Sequence, residues 1–393
     1  MGPLDGIKVI DMTRVLAGPF CTMILADMGA EVIKIERPLI GDDSRAFGPF
    51  IGEESAYFMS INRNKKSITL NLKEQKAIDI LKELVKQSDV IVENFRPGTM
   101  EKLGIGYSVL KKINEKIIYA SASGFGQTGP YSRRPAYDGV VQAMGGIMSI
   151  TGQKGGKATR VGPSIGDITA GLYTTIGILM ALYEREKSGN GQMVDVAMLD
   201  CQVSILENAL ARYFSTGVSP VPSGNKHNSI VPFEPFETND GEIMIAAGND
   251  RLFKTLAKLI GRDDLSTNPK FETNPKRNEN YDELREIIET QTKTNSVDYW
   301  YKLLTEAGVP CGPINNIERL VNDEQVNFRE MILDIVHPVA GNTRIPGLPI
   351  KMSRTKGAIK KAAPILGCDT TDVLKSLGYS KDEIKTFSEQ KII

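Results

Sequence analysis

Apolar and polar positions change period along this chain in a regular order. Ile7–Met12 (IKVIDM) is a short apolar run, broken by Thr13-Arg14-Val15-Leu16-Ala17-Gly18-Pro19. Pro19 suits the opening turn of a helix through FCTMILADM, which Gly29 ends, and Ala30–Glu36 (AEVIKIE) reads as a second strand. Strand, turn, helix, strand is a βαβ opening, which calls for a parallel sheet with helices on its faces. The alternation in KSITLNLK (66–73) predicts another strand, and EQKAIDILKELVKQ predicts a helix. DVIVE (89–93) and residues 117–122 predict two more buried strands.

The longest uncharged stretch is Ile168–Tyr183. Apolar residues fall on every side of the helix it implies, so the expectation is a helix buried all round. It is short for a membrane span of about 20 residues. Gly162-Pro163-Ser164-Ile165-Gly166-Asp167 precedes it and leaves one carboxylate at its mouth. By local pattern alone Asp167 is an N-cap. The competing reading is a nucleophilic or proton-transferring carboxylate. Further on, Ser188–Gly191 turns into the strand QMVDVAM, and Asp200 is placed to cap a helix reaching about Tyr213.

From Ser215 the texture changes to Ser, Pro, Gly and Asn, as in a linker between domains. Beyond it, PFET-NDG-EIMIAAG predicts a hairpin turning at Asn239-Asp240-Gly241, with helices from about Asp250, Asn280 and Ser296. Gly308–Ile314 reads as a rigid crossing back toward the first domain, and helices are expected over Thr371–Leu377 and from Ser380. Residues 1–214, completed by 325–393, therefore form a large α/β domain, and 215–324 a smaller one with its linkers.

Composition narrows the function classes. The 393 residues carry 48 basic and 48 acidic side chains, which gives no support for a nucleic-acid or membrane-surface partner. No secretory signal is read at the N-terminus, and Gly6 argues against myristoylation. Four scattered cysteines and two histidines make neither a disulfide framework nor a metal site, so a reduced cytoplasmic protein with no metal is expected. The glycine fingerprint of dinucleotide-binding folds is absent after the first strand. Phosphate could still lie at the first helix's amino end, and Arg37 after the second strand points to an extra phosphate. Asn94-Phe95-Arg96-Pro97-Gly98 and the glycine loop Gly124–Pro130 both stand where open α/β sheets bind ligands.

Several unlinked segments resemble one family. PLDGIKVIDMTRVLAGP, AEVIKIERP, NRNKKSITLNL, VIVENFRPG, GFGQTGP, the Asp167 segment, GNGQMVDVAMLD and GVPCGPINNI together resemble the class III CoA-transferases. That group includes formyl-CoA and carnitine CoA-transferases and shares its fold with the alpha-methylacyl-CoA racemases. The resemblance implies a Rossmann-like parallel-sheet domain, a smaller α+β domain and an interlocked homodimer. It also implies that Asp167 is the catalytic aspartate. The implied coenzyme A contacts are Leu16, Ala17, Arg37, Leu70, Lys73, Asn94, Phe95, Arg96, Lys102, Arg134 and Tyr137. No cofactor would be permanently bound, because CoA enters as acyl-CoA substrate and a small carboxylic acid is the second substrate.

On that reading a carboxylate with an ordinary pKa near 3.9 attacks the thioester, forming first an aspartyl anhydride and then an aspartyl-CoA thioester. Departures from the formyl-CoA type stand at Leu16, Phe47, Pro135 and the segment Gly224–Asn228, so formyl-CoA and oxalate are not the expected substrates. Analogy points to succinyl-CoA with a small di- or hydroxy-carboxylate, and His227 is expected in a loop hydrogen bond. The alternative, a 2-methylacyl-CoA racemase, needs a second acid–base group, and Tyr137 stands where those racemases carry histidine.

Overall fold

Six of the apolar runs pair side by side. In the computed structural model, which describes residues 2–393, they are β1 (Lys8–Asp11), β2 (Glu31–Glu36), β3 (Lys66–Thr69), β4 (Val90–Glu93), β5 (Ile118–Ser123) and β6 (Met193–Ala197). Their order is β3-β2-β1-β4-β5-β6, all parallel. Val9 sits opposite Val32 on one side and Val90 on the other. Near-continuous apolar strands of this kind need cover on both faces. The order reverses between β1 and β4, the switch point at which such sheets open a ligand crevice beyond the strands' carboxyl ends.

The helices used below are α1 (Ala17–Asp27), α2 (Ala56–Ile61), α3 (Gln75–Lys86), α4 (Tyr107–Ile113), α5 (Asp138–Met144), α6 (Ile165–Ser188), α7 (Met198–Ile205) and α8 (Asn208–Thr216). On one face of the sheet α3 and α4 share a core with Val373, Leu374, Ile384 and Phe387 from the two C-terminal helices, Thr370–Ser376 and Lys381–Glu389. On the other face α1 and α6 pack through Cys21, Leu25, Ile178, Ala181 and Leu182. Gly171 is required for that crossing, since a Cβ there would lie 2.7 Å from the Ala17 carbonyl oxygen.

α6 corrects two expectations. It runs 24 residues, long and apolar enough by length and composition to cross a membrane. Nor is it buried all round: Leu172, Tyr173, Ile176, Leu179, Met180 and Tyr183 form an exposed apolar stripe, with Met180 at 66% and Tyr183 at 67%. Their spacing is that of one helix face, and the single chain supplies nothing to cover it. The helix expected to run from Asp200 to Tyr213 is instead two, α7 and α8, broken at Glu207, whose φ of 45° departs from helical geometry. Asp200 stands in the first turn of α7, not at its cap.

Contacts divide the chain into two units, one built from the stretch up to Met148, Arg160–Gly217 and Gln325–Ile393, the other from Ser149–Thr159 and Val218–Glu324. Ser149–Thr159, assigned to the large domain from sequence, clusters with the middle segment. That second unit has its own sheet, β9 (Cys311–Pro313), β8 (Glu242–Ala246) and β7 (Phe233–Glu237), antiparallel throughout, packed on helices around Phe236, Phe253, Leu284 and Trp300. Cys311–Pro313 is thus a strand of this sheet and not a crossing segment, because its backbone pairs with Ile243–Ile245.

Candidate active site

The site is assembled at the carboxyl ends of β1 to β5. Asp167 is the third residue of α6, and the N-cap position belongs to Ser164, whose side chain makes no capping bond. The cap comes from another element. Asp138, the first residue of α5, accepts the Gly166 amide at 2.8 Å through Oδ1, while its Oδ2 accepts from Gln142 Nε2 at 2.8 Å. Capping from outside leaves the Asp167 carboxylate without a hydrogen-bond donor among the described residues. Burial first, and the neighbouring Asp138 carboxylate second, push its pKa up to about 7. The ordinary value near 3.9 expected from sequence is therefore corrected, because desolvation and a like charge both disfavour the ionised form. Tyr57 of α2 lies in the field of the same carboxylates; burial, then Asp167, Asp42 and Asp138, raise its hydroxyl to about 12, so it stays protonated.

Two cavities meet here. The inner one, about 180 Å³, is lined by Asp167, Leu16, Ala17, Asn94, Phe95, Arg96, Arg134 and Tyr137, with Arg14, Asp43 and Met198 among its other walls. The outer one, also about 180 Å³, is lined by Arg37, Leu70, Lys73 and Phe95, again with Arg14. Arg14 and Phe95 belong to both. The structure thus brings ten of the eleven residues named as CoA contacts, and Asp167, to these two walls. Lys102 lines neither; it stands exposed at the end of the single turn Thr99–Lys102. Leu70 contributes a floor, being 1% exposed in the sheet core.

The turn from β1 to α1 is held from both sides. Asn94 Oδ1 accepts the Arg14 amide and Asn94 Nδ2 donates to the Arg14 carbonyl, each at 2.8 Å. Asp42 Oδ1 accepts the Val15 amide at 3.1 Å, and Asp42 Oδ2 lies 2.8 Å from the buried Lys34 ammonium, which also donates to the Thr13 carbonyl. Between these clamps Val15 adopts φ +66°, a left-handed conformation that costs a β-branched residue on the order of 1–3 kcal/mol. The result is that α1 begins at Ala17 with no side-chain cap, its first amides beside the inner cavity.

Below the turn the charges are paired. Asp11 faces Lys65 at 3.0 Å and accepts from Thr13 and Thr22. Although burial opposes ionisation, Lys34 and Lys65 hold its carboxyl well below the usual range. Glu36 accepts from Arg45 at 2.7 and 2.8 Å. Glu93, at the end of β4, accepts the Phe95 amide at 2.8 Å, and burial pushes its pKa up to about 7.

Sequence reasoning missed Arg14, Asp42, Asp43, Tyr57 and Asp138. Arg14 had a signal, standing in the turn after the first strand. Asp138 had none, being 28 positions from the amide it caps. His227 belongs to the second unit, where Nδ1 accepts the Ser229 and Ile230 amides and the ring stacks on Phe233 at 5.1 Å.

The model of CoA-transferase family III matches residues 4–370. The chain is 42% identical to a human succinyl-CoA:glutarate CoA-transferase, covering 95% of this chain and 86% of that one. It is 45% identical to an acetyl-CoA:oxalate CoA-transferase of Acetobacter aceti, covering 90% of each. It is also 41% identical to a succinyl-CoA:mesaconate CoA-transferase of Haloarcula hispanica, covering 96% of this chain and 97% of that one. Among solved structures, a CAIB/BAIF family protein from Brucella suis superposes with a TM-score of 0.86 at 37% identity, covering 96% of this chain and 99% of that one.

Proposed function

The chain belongs to CoA-transferase family III, and from that premise we propose that it moves CoA from an acyl-CoA donor to a carboxylic acid through covalent intermediates on Asp167. The observation that carries this reading is a single unbonded carboxylate, Asp167, in a cavity continuous with a basic, Phe95-walled cleft. Ionised Asp167 attacks the thioester carbonyl; the C–S bond breaks, giving an acyl–aspartyl anhydride and CoA thiolate. The thiolate then attacks the aspartyl carbonyl, the anhydride C–O bond breaks, and the donor acid leaves an aspartyl-CoA thioester. The acceptor carboxylate runs the two steps in reverse and regenerates Asp167. Amides at the uncapped start of α1 supply donors for the tetrahedral oxyanions. Ala17, Ala136 and Met198 wall the cavity against the water that would hydrolyse the anhydride. Arg37, Lys73 and Arg96 suit the CoA phosphates, with Phe95 packing along the ligand.

The relatives' names make succinyl-CoA the first donor to try, with glutarate and mesaconate as acceptors; they also bring oxalate back into consideration. The test is mass spectrometry of CoA exchange between a panel of acyl-CoAs and acids, run in deuterated water with a 2-methylacyl-CoA included. Exchange with an added acid and negligible α-deuteration are expected, because Tyr137, 77% exposed, offers a phenol and not an imidazole, and Asp138, the carboxylate beside Asp167, is already engaged by the Gly166 amide and Gln142. Rapid α-deuteration without transfer would instead identify a racemase.

Assembly belongs to the same reading. The stripe on α6, together with Phe214 of α8 at 77% exposure, is the apolar area a second copy of this chain would cover in an interlocked dimer. Sedimentation at nanomolar concentration should show a dimer that separates only on unfolding, and a stable active monomer would contradict it.

A further inference from the structure

The two cavities meet at an arginine pair held by one carboxylate. Arg14 Nη1 lies 2.9 Å from Asp43 Oδ2, and Arg37 Nη2 lies 2.6 Å from Asp43 Oδ1. Arg14 follows β1 and Arg37 follows β2, so the bridge joins the ends of neighbouring strands at the rim of the cleft. The carboxylates around the cleft differ in their commitments: Glu36 and Asp42 line the outer cavity and Asp43 the inner one. Asp42 is held by Lys34, itself fully buried, and Glu36 by Arg45, 12% exposed, and neither cation lines a cavity. Asp43 alone is bonded to cations that are themselves cleft walls. All three members are accessible, at 43% for Arg14, 35% for Asp43 and 50% for Arg37, so the bridge is weak and exchangeable.

Two guanidinium groups set against the two oxygens of one carboxylate are already spaced to share two oxygens of one phosphate. We propose that Asp43 is a resident stand-in for ligand phosphate, holding Arg14 and Arg37 together in the empty cleft and yielding them when a phosphate of CoA arrives. This rests on the CoA reading of the cleft and deepens it: Asp43 sets affinity for the phosphorylated part of the ligand and does not touch the thioester. A phosphate group carries more charge than the carboxylate it displaces, so exchange favours CoA over monoanions. It also shortens the lifetime of bound CoA, because Asp43 competes for the arginines at every dissociation.

The test is calorimetric titration of wild type and Asp43→Asn with CoA, with inorganic pyrophosphate and with pantetheine, which lacks phosphates. Asparagine keeps the shape and removes the competing charge. Losing two exposed ion pairs of this kind translates into about three- to tenfold tighter binding of CoA and pyrophosphate, with pantetheine unchanged. Unchanged or weaker CoA binding in the variant overturns the proposal, and so does equal tightening of pantetheine. Asp43→Ser, which cannot bridge both arginines, should behave as Asp43→Asn; if only one of the two tightens binding, charge competition is not the cause. Should wild type bind neither CoA nor pyrophosphate, the CoA reading falls first, whereas normal CoA binding that ignores position 43 removes only the role of Asp43.

Discussion

Asp167→Ala is expected to reduce CoA transfer by at least about a thousandfold while CoA still binds. Among the described residues, the substitution removes the one carboxylate of the inner cavity that neither a cation nor a hydrogen-bond donor holds, Asp43 being paired with Arg14 and Arg37. Binding should survive because the cationic and aromatic walls, Arg14, Arg37, Lys73, Phe95 and Arg96, lie on other elements. Folding should survive too, since the cap of α6 is supplied by Asp138 and not by Asp167. In the wild type, donor acyl-CoA with hydroxylamine should convert Asp167 to its hydroxamate, visible as a mass change in the peptide that contains it. Full transfer activity in the alanine variant, or a hydroxamate elsewhere, would end the covalent mechanism on this residue.

The second large effect is on pH. With its carboxyl raised to about 7 by burial and by Asp138, Asp167 is about half protonated at neutral pH. Only the ionised form is a nucleophile, so the pre-steady-state release of CoA thiolate should fall about tenfold for each unit below pH 7 and level off above it. The stability consequence has the opposite sense. A carboxyl whose folded-state pKa exceeds its unfolded value of 3.8 favours folding at low pH, and that contribution is lost as pH rises through about 7. Asp167→Asn, which keeps the shape without the charge, should therefore be more stable than wild type at pH 8. Partial exposure limits the gain to about 1–3 kcal/mol, a rise of a few degrees in melting temperature, and the two proteins should converge near pH 4. A pH-independent difference in melting temperature would show that the charge on Asp167 is not what strains the site. Asp138→Asn supplies the companion result: with the like charge gone, the pH midpoint of the CoA burst should move downward.

Much of this protein is legible in its sequence, because the information involved is local. The strands β1, β2, β4 and β5 are continuous apolar runs between turn residues, and such runs demand a parallel sheet covered on both faces, whatever else the chain does. Their carboxyl ends mark where such a sheet opens its crevice, which is why the sequence alone places Arg37, Asn94, Phe95 and Arg96 on the walls of one cleft. Asp167 stands out as the one charge at the mouth of a long apolar helix. What tertiary structure alone decided is the state of that charge and of its neighbours. Whether Asp167 caps its helix depended on Asp138, which reaches the Gly166 amide from a different element and so leaves Asp167 free and raised in pKa. The shape of the β1–α1 turn depended on Asn94 and Asp42, distant residues that together hold Val15 left-handed. Periodicity could report that α6 is apolar but not which of its faces the sheet covers, and the exposed stripe from Leu172 to Tyr183 appears only once α1 and the strands have taken the opposite side. Period and composition are properties of neighbouring residues, whereas desolvation, like-charge repulsion and uncovered surface arise from residues that meet only when the chain has folded.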